Sequence, residues 1–340
     1  MIKPIIISDP FPRTLKLIFY NKTLKKLKKK YILISPAKKN KKKFYENNIH
    51  KATFIMGQPN LPVSTLNKAK KLKAIFNVES NFIDNVDYDF CFKKGIYILS
   101  TSPVFAKPVA ELALGLTLSL LRQIHQNHEY FKNKKEEYGL KSNNNAQLLS
   151  EKKIGIIGFG DLAKSLLPLL KPFTNRISAY DPWLKKEFIK KYGIKKTSLN
   201  KLLKNCDIIY ILASATAENN EFIGLKELNS VKKGSYIVLM SRAALVKFPD
   251  FIKKIKQGDI YAAIDVFPKE PVPKNDPIRK LKNIVFSPHR AGALDIAFKS
   301  MGEIVYNDME RMVKNLQPKF CKKAEAKTVK LLRSKPVDIS

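Results

Sequence analysis

The sequence predicts an α/β protein built from two doubly wound parallel sheets. Three observations carry that expectation: short apolar runs alternate with helical stretches over the first hundred or so residues, the alternation restarts near residue 153, and a Gly-x-Gly-x-x-Ala turn closes the first strand of the second series. Alternation of this kind marks strand–helix–strand units, whose crossovers force neighbouring strands to run parallel. A chain of 340 residues suits two such domains, since one takes about 100–200 residues.

In the first series, residues 4–8, 31–34, 52–56, 74–78 and 95–99 read as strands. Residues 109–122 are then apolar almost all round, the mark of a buried helix, and Pro108 suits its first position because the missing N–H would go unbonded there. The polar stretch 132–150, holding Asn143-Asn144-Asn145, reads as a loop between domains. Six strands follow, at 153–157, 177–180, 207–212, 235–240, 261–266 and 283–286. Helices separate them, among them 199–204 behind a Ser198 cap and 249–256 before Gly258. Residues 294–315 read as one long helix, and the basic tail beyond it is expected to pack on the first domain.

Apolar residues make up 44% of the chain and charged residues 27%, which excludes wholesale disorder. The net charge of +35 would ordinarily point to nucleic acid. Only eight of the 64 basic residues are arginine, however, and the lysine runs at 25–30, 38–43 and 322–335 lack interleaved stacking aromatics. The excess therefore reads as solvated surface, with no nucleic-acid partner expected. No uninterrupted apolar run reaches the about 18 residues of a membrane span, so no membrane partner is expected either. Met1-Ile2-Lys3-Pro4 opens no secretory signal, which makes a cytoplasmic location the expectation. Cys91, Cys206 and Cys321 are too far apart to suggest a disulfide framework or a metal site.

The chemistry gathers in the second series. Gly158-Phe159-Gly160-Asp161-Leu162-Ala163 follows a strand, and this spacing is the dinucleotide-binding turn. Gly158 permits the tight turn, Gly160 lets backbone approach a pyrophosphate, and Ala163 lets the next helix pack on the strand. Pro168 removes a bond from that helix and predicts a kink or an early end. Asp181 lies 23 residues after Gly158, where a carboxylate accepts both ribose hydroxyls of NAD and repels a 2′-phosphate. Beyond the carboxyl ends of later strands come Ser241-Arg242, then Asp265 and Glu270-Pro271, then Ser287-Pro288-His289-Arg290-Ala291-Gly292. An arginine, a carboxylate and a histidine thus converge where doubly wound sheets hold ligands. Arg242 suits a planar carboxylate, His289 exchanges a proton, and Glu270 favours the imidazolium.

Taken in order, these stretches, with Ile83-Asp84-Asn85-Val86-Asp87, Gly95-Ile96 and Val109-Ala110-Glu111-Leu112, resemble the D-2-hydroxyacid dehydrogenase family over about residues 50–315. The resemblance implies that Arg242, Glu270 and His289 are catalytic. It also implies NAD contacts at Gly158, Gly160, Asp161, Leu162, Asp181, Ala213, Met240, Ser241, Arg242, Asp265, His289 and Gly292, and substrate contacts at Ser80, Asn81, Arg242 and His289. It further implies a discontinuous layout, with a Rossmann NAD domain at 104–291 inserted into a flavodoxin-like substrate domain made of 1–103 and 292–340, and pairing as a homodimer through the 109–121 helix. The chain departs from the family at Glu79-Ser80-Asn81-Phe82, where glycines usually grip the substrate carboxylate, and at Ala243 and Lys247, where a glycine and an aspartate are usual. A glutamate in that loop makes a second negative group on the substrate less welcome. The expected function is hydride transfer between nicotinamide and a small 2-hydroxy/2-oxo acid, with NAD as cofactor; the rival readings are a non-catalytic NAD-binding scaffold of the same fold and a polyanion-binding protein.

Overall fold

The computed structural model describes residues 3–37, 39–79 and 81–331. The first strands in the chain are β1 (Ile5–Asp9), β2 (Ile32–Ile34), β3 (Ala52–Gly57), β4 (Ala74–Asn77) and β5 (Tyr97–Ser100). Next come β6 (Ile154–Ile157), β7 (Ile177–Tyr180), β8 (Lys195–Lys196), β9 (Ile208–Ile211), β10 (Ser235–Leu239), β11 (Ile260–Ile264) and β12 (Ile284–Phe286), and last β13 (Lys322–Lys323). They belong to two compact units, one of Met1–Val104 with Ala293–Ser340, the other of Phe105–Gly292.

The first unit holds a sheet in the order β13-β5-β4-β3-β1-β2. Strands β1 to β5 pair in parallel and β13 adds an antiparallel edge on β5. Ile6, Ile7, Phe54, Ile55, Ile75 and Phe76 are fully buried, the continuous apolar pattern of strands covered on both faces. The order reverses between β1 and β3, a flavodoxin-like arrangement. The helix Asp295–Val313 covers one face, its Glu310 joined to Lys30 and Tyr31. Asp308 is fully buried in that helix and accepts the N–H groups of Lys319, Phe320 and Cys321, at 2.6 to 3.1 Å. That single carboxylate turns the tail back toward β13.

The second unit holds an all-parallel sheet in the order β12-β11-β10-β9-β6-β7-β8. This is the Rossmann-like order with one strand, β12, added beyond β11, reversing between β6 and β9. The helix Ala106–Leu121 packs Val109, Ala113, Leu116 and Leu120 into a core shared with Leu166 and Leu170 of the helix Asp161–Leu170. Its one buried hydroxyl, Thr117, meets Tyr210 Oη at 2.8 Å. The unit begins and ends at one place, because Gly292 lies so close to Phe105 that a Cβ there would fall 2.7 Å from the ring.

Several expectations are corrected. The buried helix starts at Ala106, so Pro108 sits inside the first turn and not at its opening residue; the first-turn N–H groups have no intrahelical partner, and the ring costs nothing there. The stretch 132–150 is not a link between units but a loop within the second, following the helix Ile124–Lys132. The second sheet has seven strands rather than six, β8 being unforeseen. Pro168 lies inside the helix Asp161–Leu170, which ends two residues beyond it, in keeping with the early end expected. Ser102–Leu121, finally, does have the length and mean hydropathy (1.6) of a membrane span. Its lone Glu111 is tolerated on the exposed side of a helix whose other side is core.

Candidate active site

The strand β6 is apolar and fully enclosed, and the chain leaves it through a turn only glycine can make. Gly158 has φ 86°, and a Cβ there would lie 2.4 Å from Ala213 Cα at the end of β9. Gly160 caps the helix Asp161–Leu170 from an extended conformation, and a Cβ on it would meet nothing within 4 Å. The amide end of that helix is therefore approachable, the feature a pyrophosphate needs. Leu162 is half-buried against the core, leaving its backbone as the part available to a ligand.

Asp181, after β7, is 8% exposed. One oxygen accepts the Phe159 N–H at 2.9 Å and the other those of Trp183 and Leu184 at 2.9 and 3.1 Å. It thus ties the glycine turn to the neighbouring strand end, and the oxygen that accepts only Phe159 keeps a lone pair toward a ribose. Trp183 and Leu184 were not foreseen as partners.

The polar residues of the other half of the sheet leave β10, β11 and β12. Met240 and Ser241 are buried, and the Ser241 hydroxyl donates to the Ile211 carbonyl at 3.2 Å. Arg242 donates from Nη1 to the Ser241 carbonyl at 2.7 Å. Burial lowers its pKa, and the Glu270 charge works against that. Asp265 is 1% exposed and accepts the Ser287 hydroxyl at 2.5 Å and the Arg290 and Ala291 N–H groups at 3.0 and 3.2 Å. Burial raises its pKa even against those donors. Asp265 is therefore the anchor of the loop that carries His289, a duty its sequence position did not reveal.

His289 itself has φ 47°, and its Nδ1 meets Glu270 Oε2 at 2.6 Å. The other Glu270 oxygen accepts the Phe267 N–H at 2.9 Å, which holds the carboxylate in place. Both side chains are 29% exposed. With Nδ1 engaged, Nε2 is the ring nitrogen left to act on a ligand. The structure brings Arg242, Glu270 and His289 to one edge of this sheet, with the glycine turn and Asp181 along the same carboxyl edge. Asn81 belongs to the first unit, where its carbonyl accepts from Asn77 at 3.4 Å. Ser80 lies outside the described residues.

Residues 114–291 match the family model for the D-isomer specific 2-hydroxyacid dehydrogenase, NAD binding domain. The chain is 32% identical over 267 residues to a glyoxylate reductase of Thermococcus litoralis, which covers 74% of this chain and 77% of that one. It is 30% identical over 251 residues to a D-3-phosphoglycerate dehydrogenase of Methanocaldococcus jannaschii, covering 73% of this chain and 47%, about half, of the relative's length. Among solved structures, a phosphoglycerate oxidoreductase from Rhizobium etli matches at a TM-score of 0.89 and 39% identity, covering 96% of this chain and 100% of that one.

Proposed function

The chain belongs to the D-isomer specific 2-hydroxyacid dehydrogenase family, and as an NAD-dependent oxidoreductase of that family it moves, we propose, a hydride between nicotinamide and C2 of a small 2-hydroxy/2-oxo acid. The observation that carries this is the His289–Glu270 pair at 2.6 Å, on the sheet edge that also presents Arg242 and the glycine turn. Glyoxylate and phosphoglycerate, named for the relatives, are small acids of this kind.

NAD, when bound, supplies or takes the hydride. The open face at Gly160 and the amides of Asp161 and Leu162 suit its pyrophosphate, Asp181 its ribose, and Ala213 the adenosine side. Met240, Ser241, Asp265 and Gly292 border the nicotinamide end. In reduction, Arg242 orients the substrate carboxylate and polarises the carbonyl, and His289 donates a proton from Nε2 to its oxygen. Glu270 fixes the ring through Nδ1, so that Nε2 faces the substrate oxygen. The second unit then serves the cofactor, and the first, through Ser80 and Asn81, the substrate.

We also propose a cytoplasmic homodimer paired through the second unit. Leu140, Tyr138, Phe131, Leu148 and Ile124 are 84%, 76%, 64%, 57% and 56% exposed, a concentration of large apolar side chains that a lone chain leaves in water. The function is tested by following the nicotinamide absorbance with a panel of 2-oxo acids, using NADH and NADPH. Turnover of at least one small acid is expected, with NADH preferred; inactivity across the panel contradicts the reading.

A further inference from the structure

The loops after β1, β3 and β4 of the first unit are joined by a buried ion pair. Arg13, in the first loop, places Nε 2.9 Å from Glu79 Oε1 in the third, with the two side chains only 8% and 3% exposed. The same Nε–H donates to the Val78 carbonyl at 3.0 Å, and the guanidinium lies 4.8 Å over the Phe298 ring. Gln58, after β3, accepts the Glu79 N–H at 3.3 Å and donates to the Phe11 carbonyl at 2.7 Å. All three loops leave the carboxyl edge of the sheet beside its β1/β3 reversal, where doubly wound sheets take ligands.

As a structural tie the pair is poor. Among the described residues Arg13 Nη1 is buried with no hydrogen-bond partner, and Glu79 Oε1 accepts no hydrogen bond. Two ions taken out of water are compensated only where their remaining donors and acceptors are met. Burial accordingly lowers the Arg13 pKa and raises that of Glu79, each against its partner's pull.

Resting on the dehydrogenase reading above, we infer that Glu79 occupies a second anion position and that Arg13 is the specificity residue it covers. The pair admits 2-oxo acids whose one negative group is the carboxylate and turns away those bearing a further carboxylate or phosphate. A second anion on the substrate would face the Glu79 carboxylate with no cation left over, a repulsive contact that discriminates without weakening the preferred ligand. Without the Glu79 side chain, Arg13 has both the space and the free donor to take that anion.

The test compares hydroxypyruvate with 3-phosphohydroxypyruvate, one carbon skeleton with and without a phosphate, by kcat/KM with NADH. The unaltered protein should favour hydroxypyruvate. Glu79→Gly should shift the ratio toward the phosphorylated acid about tenfold or more, the worth of one charge-assisted hydrogen bond, mainly through its KM. Arg13→Leu added to Glu79→Gly should remove the gain, and Glu79→Gln, which keeps the shape, should shift the ratio less in the same direction. Equal use of both acids by the unaltered protein overturns the inference without any variant. So does an unmoved ratio in variants that melt normally, or a gain that survives Arg13→Leu. Failure to oxidise NADH with any 2-oxo acid overturns the dehydrogenase reading instead, and the inference with it.

Discussion

His289 sits in a left-handed backbone conformation, φ 47°, that costs a residue with a side chain about 1–2 kcal/mol. The three donors of its loop that end on Asp265 hold it there. His289→Ala should lower turnover by roughly 10²–10⁴ at every pH, with NADH affinity nearly intact. Glu270→Gln should leave NADH binding in place but lower turnover, since the ring loses the carboxylate 2.6 Å away that holds its orientation. The double variant should be hardly worse than His289→Ala, because Glu270 then has no ring to hold in place; simple additivity contradicts the pairing. Asp181→Ala should narrow the preference for NADH over NADPH by removing the charge that repels a 2′-phosphate. It should also lower the melting temperature, because three backbone amides lose their acceptor. The positions of Asp181 and Asp265 were legible in the sequence as strand-end carboxylates, but their anchoring duty was not. Asp265 takes its partners from residues more than twenty positions away, and only the folded sheet brings these together.

At the scale of elements, the strands the sequence disclosed are those whose burial is continuous, such as Ile154–Ile157 and Ile208–Ile211. The two it concealed, Lys195–Lys196 and Lys322–Lys323, are pairs of lysines at sheet edges. Nothing apolar marks them, and their pairing is imposed by the neighbour and, for the second, by Asp308. Edge lysines of this kind also discourage pairing with another chain. The entry to β9 depends on Asp207, which accepts the Lys153 N–H at 2.8 Å and meets Lys232 Nζ at 2.6 Å. Burial acts to raise its pKa, but those donors outweigh it and hold the group below the usual carboxylate value. The folded value being depressed, this contribution is present above the unfolded pKa of about 4 and is lost as pH falls through the folded one. Asp207→Asn should therefore cost about 1 kcal/mol at neutral pH. The deficit against the unaltered protein should fade below about pH 4, as urea unfolding followed by Trp183 fluorescence would show; a deficit constant down to pH 2 contradicts the assignment.

For the whole molecule, the net charge of +35 is carried mostly by lysines on a solvated surface, while the large apolar side chains left in water concentrate between Ile124 and Leu148. If that region pairs two copies, Phe131→Asp with Leu140→Asp should raise the dimer dissociation constant by tenfold or more in light scattering, the shift of about 1.4 kcal/mol that burying two charges readily exceeds. A monomeric unaltered protein at micromolar concentration contradicts the pairing. The meeting of Phe105 and Gly292 bears on how such a chain is assembled and inherited. Because entry and exit coincide, the second unit hangs from the first like a loop whose ends are already tied, and closing it adds no entropy that grows with its length. A gene can acquire, lengthen or exchange so self-contained a cassette while the host around it keeps its own sheet.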